Sequence, residues 1–264
     1  MSAVGSSQAW RSAVCIGRGV MLEGIRRKEA HVLILLMGVF VLGALGARVV
    51  GVENPATGTF LYNLGLTLAW IFAHVLVLLM SIHQVPGEIE NRTIYPILAR
   101  PVDRSVYLLG KWGASTLVSW GAYALFALLV ILVCPRLESY ETGMFLQMGV
   151  LILASLAVTA SLAQLISLVL PRAMGALLLG GLVFLGTYLF GVLRTVGGET
   201  WLNELIRWVV LYVPDFSKWN MTTRYTDGIE ALSAGTFLGL LFSAAVFGCG
   251  ASLLSHTLFK RRAL

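Results

Sequence analysis

The groups in this 264-residue chain that could bind a metal, attack a substrate or carry a proton are four histidines, three cysteines and thirteen carboxylates. They do not assemble into a recognisable reaction centre. Cys15, Cys134 and Cys249 share no motif spacing and are odd in number, so neither a disulfide framework nor a zinc site is suggested. No H-E-x-x-H, G-x-S-x-G or paired-carboxylate arrangement falls within an apolar run, so a membrane hydrolase is weakly supported. A phosphate-binding G-x-x-x-x-G-K-[ST] is missing too, because Trp112 follows Gly110 and Lys111, and Ser105 stands where the first glycine is required. Charge does concentrate in GEIENRTIYPILARPVDRSVYLLGKW, residues 87–112. Besides its two tyrosines, this stretch carries ten ionic, amide or hydroxyl side chains between two long apolar runs. Mixed charge with Ile89, Ile94, Ile97 and Leu98 nearby makes a surface suited to docking into another protein's groove. On physics alone, a solvated loop whose charges face water is an equal reading.

The elements that must position this stretch are membrane spans. The chain is 58% hydrophobic and 12% charged, with mean hydropathy +0.84, whereas a soluble domain carries about 25% charge. Apolar runs at about 31–50, 60–82, 112–134, 144–170, 173–194 and 232–258 are each long enough for a hydrocarbon core about 30 Å thick. The expected fold is therefore all-α: a single polytopic membrane domain over 1–264 with six transmembrane helices. The first run, at about 20 residues, is too long for the core of a cleavable signal and is expected to remain as an anchor. Six spans put both termini on one side, and 13 of the 19 Lys and Arg then share that side, which the positive-inside rule makes cytoplasmic. Orientation in a membrane accounts for the basic balance, so nucleic-acid binding is not needed.

Before the first span, Trp10, Val14, Met21 and Ile25 lie within about 60° of one another on a helical wheel, which predicts an interfacial amphipathic helix over 8–30. Ile16 falls off that stripe. In the loop, Pro86 and Gly87 are expected to stop the second span, with Glu88 and Glu90 in the first turn of a short new helix. Pro96 limits it to about two turns, Arg100 and Pro101 form the turn, Asp103 is a plausible N-cap, and a further helix starts near Arg104. The extracytoplasmic segment 195–230 contains an aromatic stretch, 201–214, too short and too charged to cross; it is expected at the interface or dipping in and returning. Small residues at Gly235, Gly239 and Ser243 are expected to serve internal helix packing.

The span cores hold no carboxylate and no central Lys or Arg. His74 is the one ionisable group near mid-span, and a packed, hydrogen-bonded role is the plainer reading for it. Thr159 and Gln164 in the fourth span are candidate pathway residues alongside His74. The other polar groups there read as interhelical hydrogen bonds.

The order E-x-E-x-R-T, then P-x-x-R, then G-K at a span start, seen as Glu88, Glu90, Arg92, Thr93, Pro101, Arg104, Gly110 and Lys111, resembles the cytoplasmic loop of ABC transporter permeases of the ABC type 2 family. The family has a small residue where Arg92 stands. The compact outer loops also resemble export-type members, among them the permease of the nitrous-oxide reductase maturation cluster, drug exporters and polysaccharide exporters. The resemblance implies a bacterial inner-membrane permease subunit with no enzyme activity and no cofactor of its own, since ATP and Mg would be bound by a separate cytoplasmic P-loop ATPase. It implies a second permease copy, as a homodimer or heterodimer, and a coupling loop at 87–104 docked into the ATPase. Glu88 and Glu90 would meet basic residues of the ATPase groove, and Arg92 and Arg104 would meet carboxylates or anionic membrane lipid. Two other classes stay open at this level: an ATP-independent carrier or channel gated at His74, and an anchor passing force to a periplasmic partner through 195–230.

Overall fold

The structure is a computed structural model, and it describes residues 11, 14–22, 24, 28–49, 55–90, 104–134, 142–188 and 214–261. Among these residues it is almost entirely helical, with irregular stretches at 214–215, 220–221 and 227–233 and without strands. The elements are α1 (Lys28–Val49), α2 (Pro55–Glu90), α3 (Arg104–Val133), α4 (Thr142–Val169), α5 (Arg172–Gly180, continued by a π-helical turn Gly181–Leu185), the short α6 (Phe216–Trp219) and α7 (Thr222–Thr226), and α8 (Ala234–Arg261). Four segments are long and apolar enough to cross a membrane, Thr57–Glu88, Arg104–Val133, Thr142–Val169 and Ala234–Arg261, and two shorter apolar helices, His31–Ala47 and Arg172–Tyr188, accompany them.

α2 is the centre of the bundle. Of its apolar window 72% is buried inside the protein, against 11% for α8. Tyr62, Leu66, Ala69, Trp70, Ala73 and Val77 are each 0% exposed, and their three- and four-residue spacing gives α2 a continuous packing face. Without a hydrophobic driving force between helices in lipid, that face holds by van der Waals fit. Gly65 makes the fit tightest: a Cβ there would stand 2.8 Å from both Phe40 of α1 and Val130 of α3. Replacing Gly65 by alanine is expected to force α1 or α3 outward and to cost about 1–3 kcal/mol, read as a lowered unfolding temperature in mild detergent.

Three expectations from the sequence are corrected. Pro86 does not stop the second span, because α2 runs through it to Glu90. A proline inside a helix costs roughly 3 kcal/mol, and here the last turns are held by buried Gln84 and Val85 and by side-chain bonds from Glu88. Glu88 therefore sits in the last turns of a long helix rather than the first turn of a new one. Gly235 and Gly239 face open space among the described residues, since a methyl group added at either would meet none of them within 4 Å, so they serve no packing against the described helices. In the helical run 14–22, the packed side is Gly17 and Val20 rather than Val14, which is 52% exposed. Gly17 lies against Gly110 and Ala114 of α3, and Gly24 lies against Met80 of α2. Trp10 and Ile25 of the expected stripe lie outside the described residues.

Candidate functional site

At the loop end of the bundle, the last turns of α2 and the first turns of α3 face each other. Tyr107 and Lys111 are four residues apart on α3 and so point the same way. Both reach Glu88: Lys111 Nζ lies 2.8 Å from Glu88 Oε1, and the Tyr107 hydroxyl donates to Oε2. Lys111 Nζ also donates to the Gln84 carbonyl at 3.3 Å and sits 4.8 Å from the Tyr107 ring centroid. The Lys111 side chain is 1% exposed and that of Glu88 23%. A buried cation is tolerated because its counter-charge and further acceptors surround it.

Two more contacts tie this corner to other helices. Arg104, the first residue of α3, donates from one guanidinium nitrogen to the carbonyls of Phe259 at 3.1 Å and Lys260 at 3.2 Å. Those carbonyls belong to the last turn of α8, whose negative dipole end suits a cation. The Tyr107 ring stacks on Phe259, with centroids 5.7 Å apart and planes 11° from parallel. Glu90, the last residue of α2, pairs with Arg172, the first of α5. The residues flanking 91–103 thus grip α3, α5 and α8 at once.

The two carboxylates expected to meet a partner's groove are paired with cations of this chain, Glu88 largely buried and Glu90 with 65% of its side chain exposed. Arg104 is likewise engaged with α8. Arg92, Thr93 and Pro101 lie outside the described residues, as do Pro96, Asp103, the aliphatics at 94, 97 and 98, and the aromatic stretch up to 213. Sequence reasoning missed Lys111, Tyr107, Phe259 and Arg172 as partners. The available signal was a lysine one turn past a tyrosine at the head of an apolar run, where an ionised group needs an acid nearby.

The candidate pathway residues do not converge. His74 is fully buried; its Nδ1 donates to the Trp70 carbonyl at 2.9 Å, and Nε2 lies 3.1 Å from the Ser155 hydroxyl, which also donates to the Ile152 carbonyl at 2.8 Å. Thr159 is buried and donates back to the Ser155 carbonyl at 2.9 Å. Gln164 donates to the Leu108 carbonyl of α3 at 3.0 Å and lines a cleft near the loop end. The fourth span's other hydroxyls bond mostly within their own helix, and the interhelical bonds missed from the sequence come from tryptophans: Trp112 and Trp120 Nε1 donate to the Ala157 and Leu153 carbonyls at 3.2 and 2.8 Å.

On the other side of His74 stands the segment 214–226. Phe216 meets the His74 ring edge-on at 6.2 Å, and Trp219 meets Phe216 at 5.3 Å. Asp215 caps α6 through a 3.1 Å bond from the Ser217 amide and is 7% exposed. A carboxylate absent from the spans themselves is therefore carried into the core by a connecting segment. Among the described residues, no group of three or more His, Cys, Asp or Glu converges as a metal site.

Comparison with curated proteins finds no match. A family description, ABC-2 family transporter protein, matches residues 20–258, and these span the whole bundle and the paired corner around Glu88 and Lys111. By that match over nearly its full length, together with its long apolar helices, the chain belongs to the ABC-2 family of transporter membrane proteins.

Proposed function

We propose that this chain is the permease subunit of an exporter, moved by a separate cytoplasmic ATPase that grips the segment 91–103. Membership of the family carries the transport role and the expectation of an ATP-binding partner. The mechanical reading rests on one observation: the flanks of that segment are fixed to three helix ends, through Glu88 with Lys111, Glu90 with Arg172, and Arg104 with the α8 carbonyls. A force applied to 91–103 then reaches α3 chiefly through the buried Glu88–Lys111 pair, which is weakly screened, while the more exposed Glu90–Arg172 pair and the Arg104 bonds add weaker ties to α5 and α8. Two copies form the pathway in this reading, in the bacterial inner membrane, with both termini and the 91–103 segment in the cytoplasm and ATP and Mg on the partner.

The competing carrier reading needs a gating ionisable group at His74. Both ring nitrogens of that residue are already engaged, with Trp70 and Ser155, and this argues for packing.

Affinity purification of the tagged chain in mild detergent, with mass spectrometry of what accompanies it, tests the proposal. The expected result is a stoichiometric P-loop ATPase whose recovery falls at least ten-fold when Arg92 and Thr93 are replaced together. A folded, oligomeric preparation that carries no ATPase would return the carrier reading to the front.

A further inference from the structure

We infer that the cleft between α3, α4 and α8 at the loop end of the bundle binds one glycerophospholipid with an anionic headgroup. The cleft has a volume of about 280 Å³ and is lined by Ser105, Leu108, Trp112, Gln164, Ser252 and His256, with Leu109 and Leu253 at its rim. Those two leucines are 57% and 68% exposed. A mouth framed by bare leucines opens onto hydrocarbon rather than water, which selects a ligand that arrives through the bilayer.

The chemistry along α8 runs in the order of a lipid molecule. Leu253, His256 and Lys260 are three and four residues apart and so share a face, at steps of about 4.5 and 6 Å along the axis. Toward the loop end they present an aliphatic wall, an imidazole and an exposed ammonium, followed by exposed Arg261. Acyl chain, ester carbonyl and phosphate succeed one another in the same direction.

His256 supplies the specific observation. Its Nε2 is buried and has no hydrogen-bond partner among the described residues. Two of the neighbouring polar groups are committed elsewhere, since the Gln164 amide donates to the Leu108 carbonyl and Ser252 donates to Ser161 at 3.3 Å, and Ser105 is the other polar side chain lining the cleft. An imidazole N–H in that position can donate to an ester carbonyl, which removes the cost of burying it unpaired. Lys260 then meets the phosphate as a mobile point charge. The site is complete within this chain and so stands apart from the ATPase reading.

The test is native mass spectrometry of the purified chain, titrated separately with phosphatidylglycerol and phosphatidylcholine after detergent exchange. One retained phosphatidylglycerol is expected. His256→Ala should weaken its retention about five- to ten-fold, the loss expected for one hydrogen bond, while His256→Gln, which keeps a donor, should restore most of it. Lys260→Gln should abolish the preference for phosphatidylglycerol over phosphatidylcholine, and Leu253→Trp, at an exposed position that leaves the core alone, should close the cleft to both. Equal retention in wild type, His256→Ala and Leu253→Trp would overturn the assignment. So would disulfide cross-linking of Leu253→Cys between two copies, which would show that a second chain covers the cleft.

Discussion

Glu88→Gln is expected to destabilise the chain by about 3–5 kcal/mol, the range for removing one member of a buried ion pair. The same residue combined with Lys111→Met is expected to regain most of that loss. The asymmetry follows from burial. Lys111 is 1% exposed and lies between Glu88 Oε1, the Gln84 carbonyl and the Tyr107 ring. With the carboxylate gone, the ammonium loses its counter-charge in a place water reaches poorly, whereas methionine in its stead fills the volume and asks for no partner. Glu88 is 23% exposed, so the single Lys111→Met variant leaves a carboxylate that can still draw solvent and should cost less than Glu88→Gln. Thermal unfolding of the four forms in mild detergent, read as a double-mutant cycle, measures the coupling. Additive losses would mean that the two side chains do not share one site.

That result also governs how docking is tested. Reversing Glu88 to lysine suggests itself from the sequence as a way to repel a basic groove, but here it would set a second ammonium against Lys111 across a 2.8 Å contact. Failure to recover an ATPase with that variant would then report a damaged bundle. On the proposed reading, docking is therefore tested by substitution at Arg92, Thr93 and Pro101 rather than at Glu88, with thermal unfolding of each variant measured alongside.

How much the sequence discloses differs by element. Long apolar helices and the start of α3 at Arg104 are written locally, in hydropathy and in the charge step after Pro101. The end of α2 is not, because Pro86 carries a strong local breaking signal that tertiary contacts outweigh. Glu88 and Lys111 are 23 positions apart with a loop between them, and no periodicity announces that they meet. Glycine spacing is equally mute: Gly65 is wedged between Phe40 and Val130 while Gly235 and Gly239 face open space among the described residues, a difference set by neighbours rather than by the glycines. The family resemblance was read from 87–111, the stretch whose flanks meet at Glu88 and Lys111. It did not foretell that, among the described residues, Glu88, Glu90, Arg104 and Lys111 find partners within the chain.

Phe216→Ala is the second large effect, about 3–5 kcal/mol for emptying a ring-sized space in a packed core. Phe216 is 1% exposed, and the rings of His74 and Trp219 stand edge-on to it at 6.2 and 5.3 Å. His74 lies midway along the apolar stretch of α2, and its partner Ser155 lies midway along α4, so the segment that follows the 201–213 stretch reaches the middle of the bundle rather than resting on its end. Truncation there leaves a void beside both long helices, and their large buried faces leave little freedom to collapse into it. Phe216→Leu, which keeps much of the volume, should cost clearly less. The same geometry predicts reactivity: a cysteine in place of Phe216 should resist a membrane-impermeant thiol reagent in folded protein, while one in place of Lys218, which is 48% exposed, should react. Equal labelling at the two positions, or an alanine variant as stable as the parent, would place the segment outside the core. The inward reach of 214–226 would then cease to account for the burial of Asp215 within it.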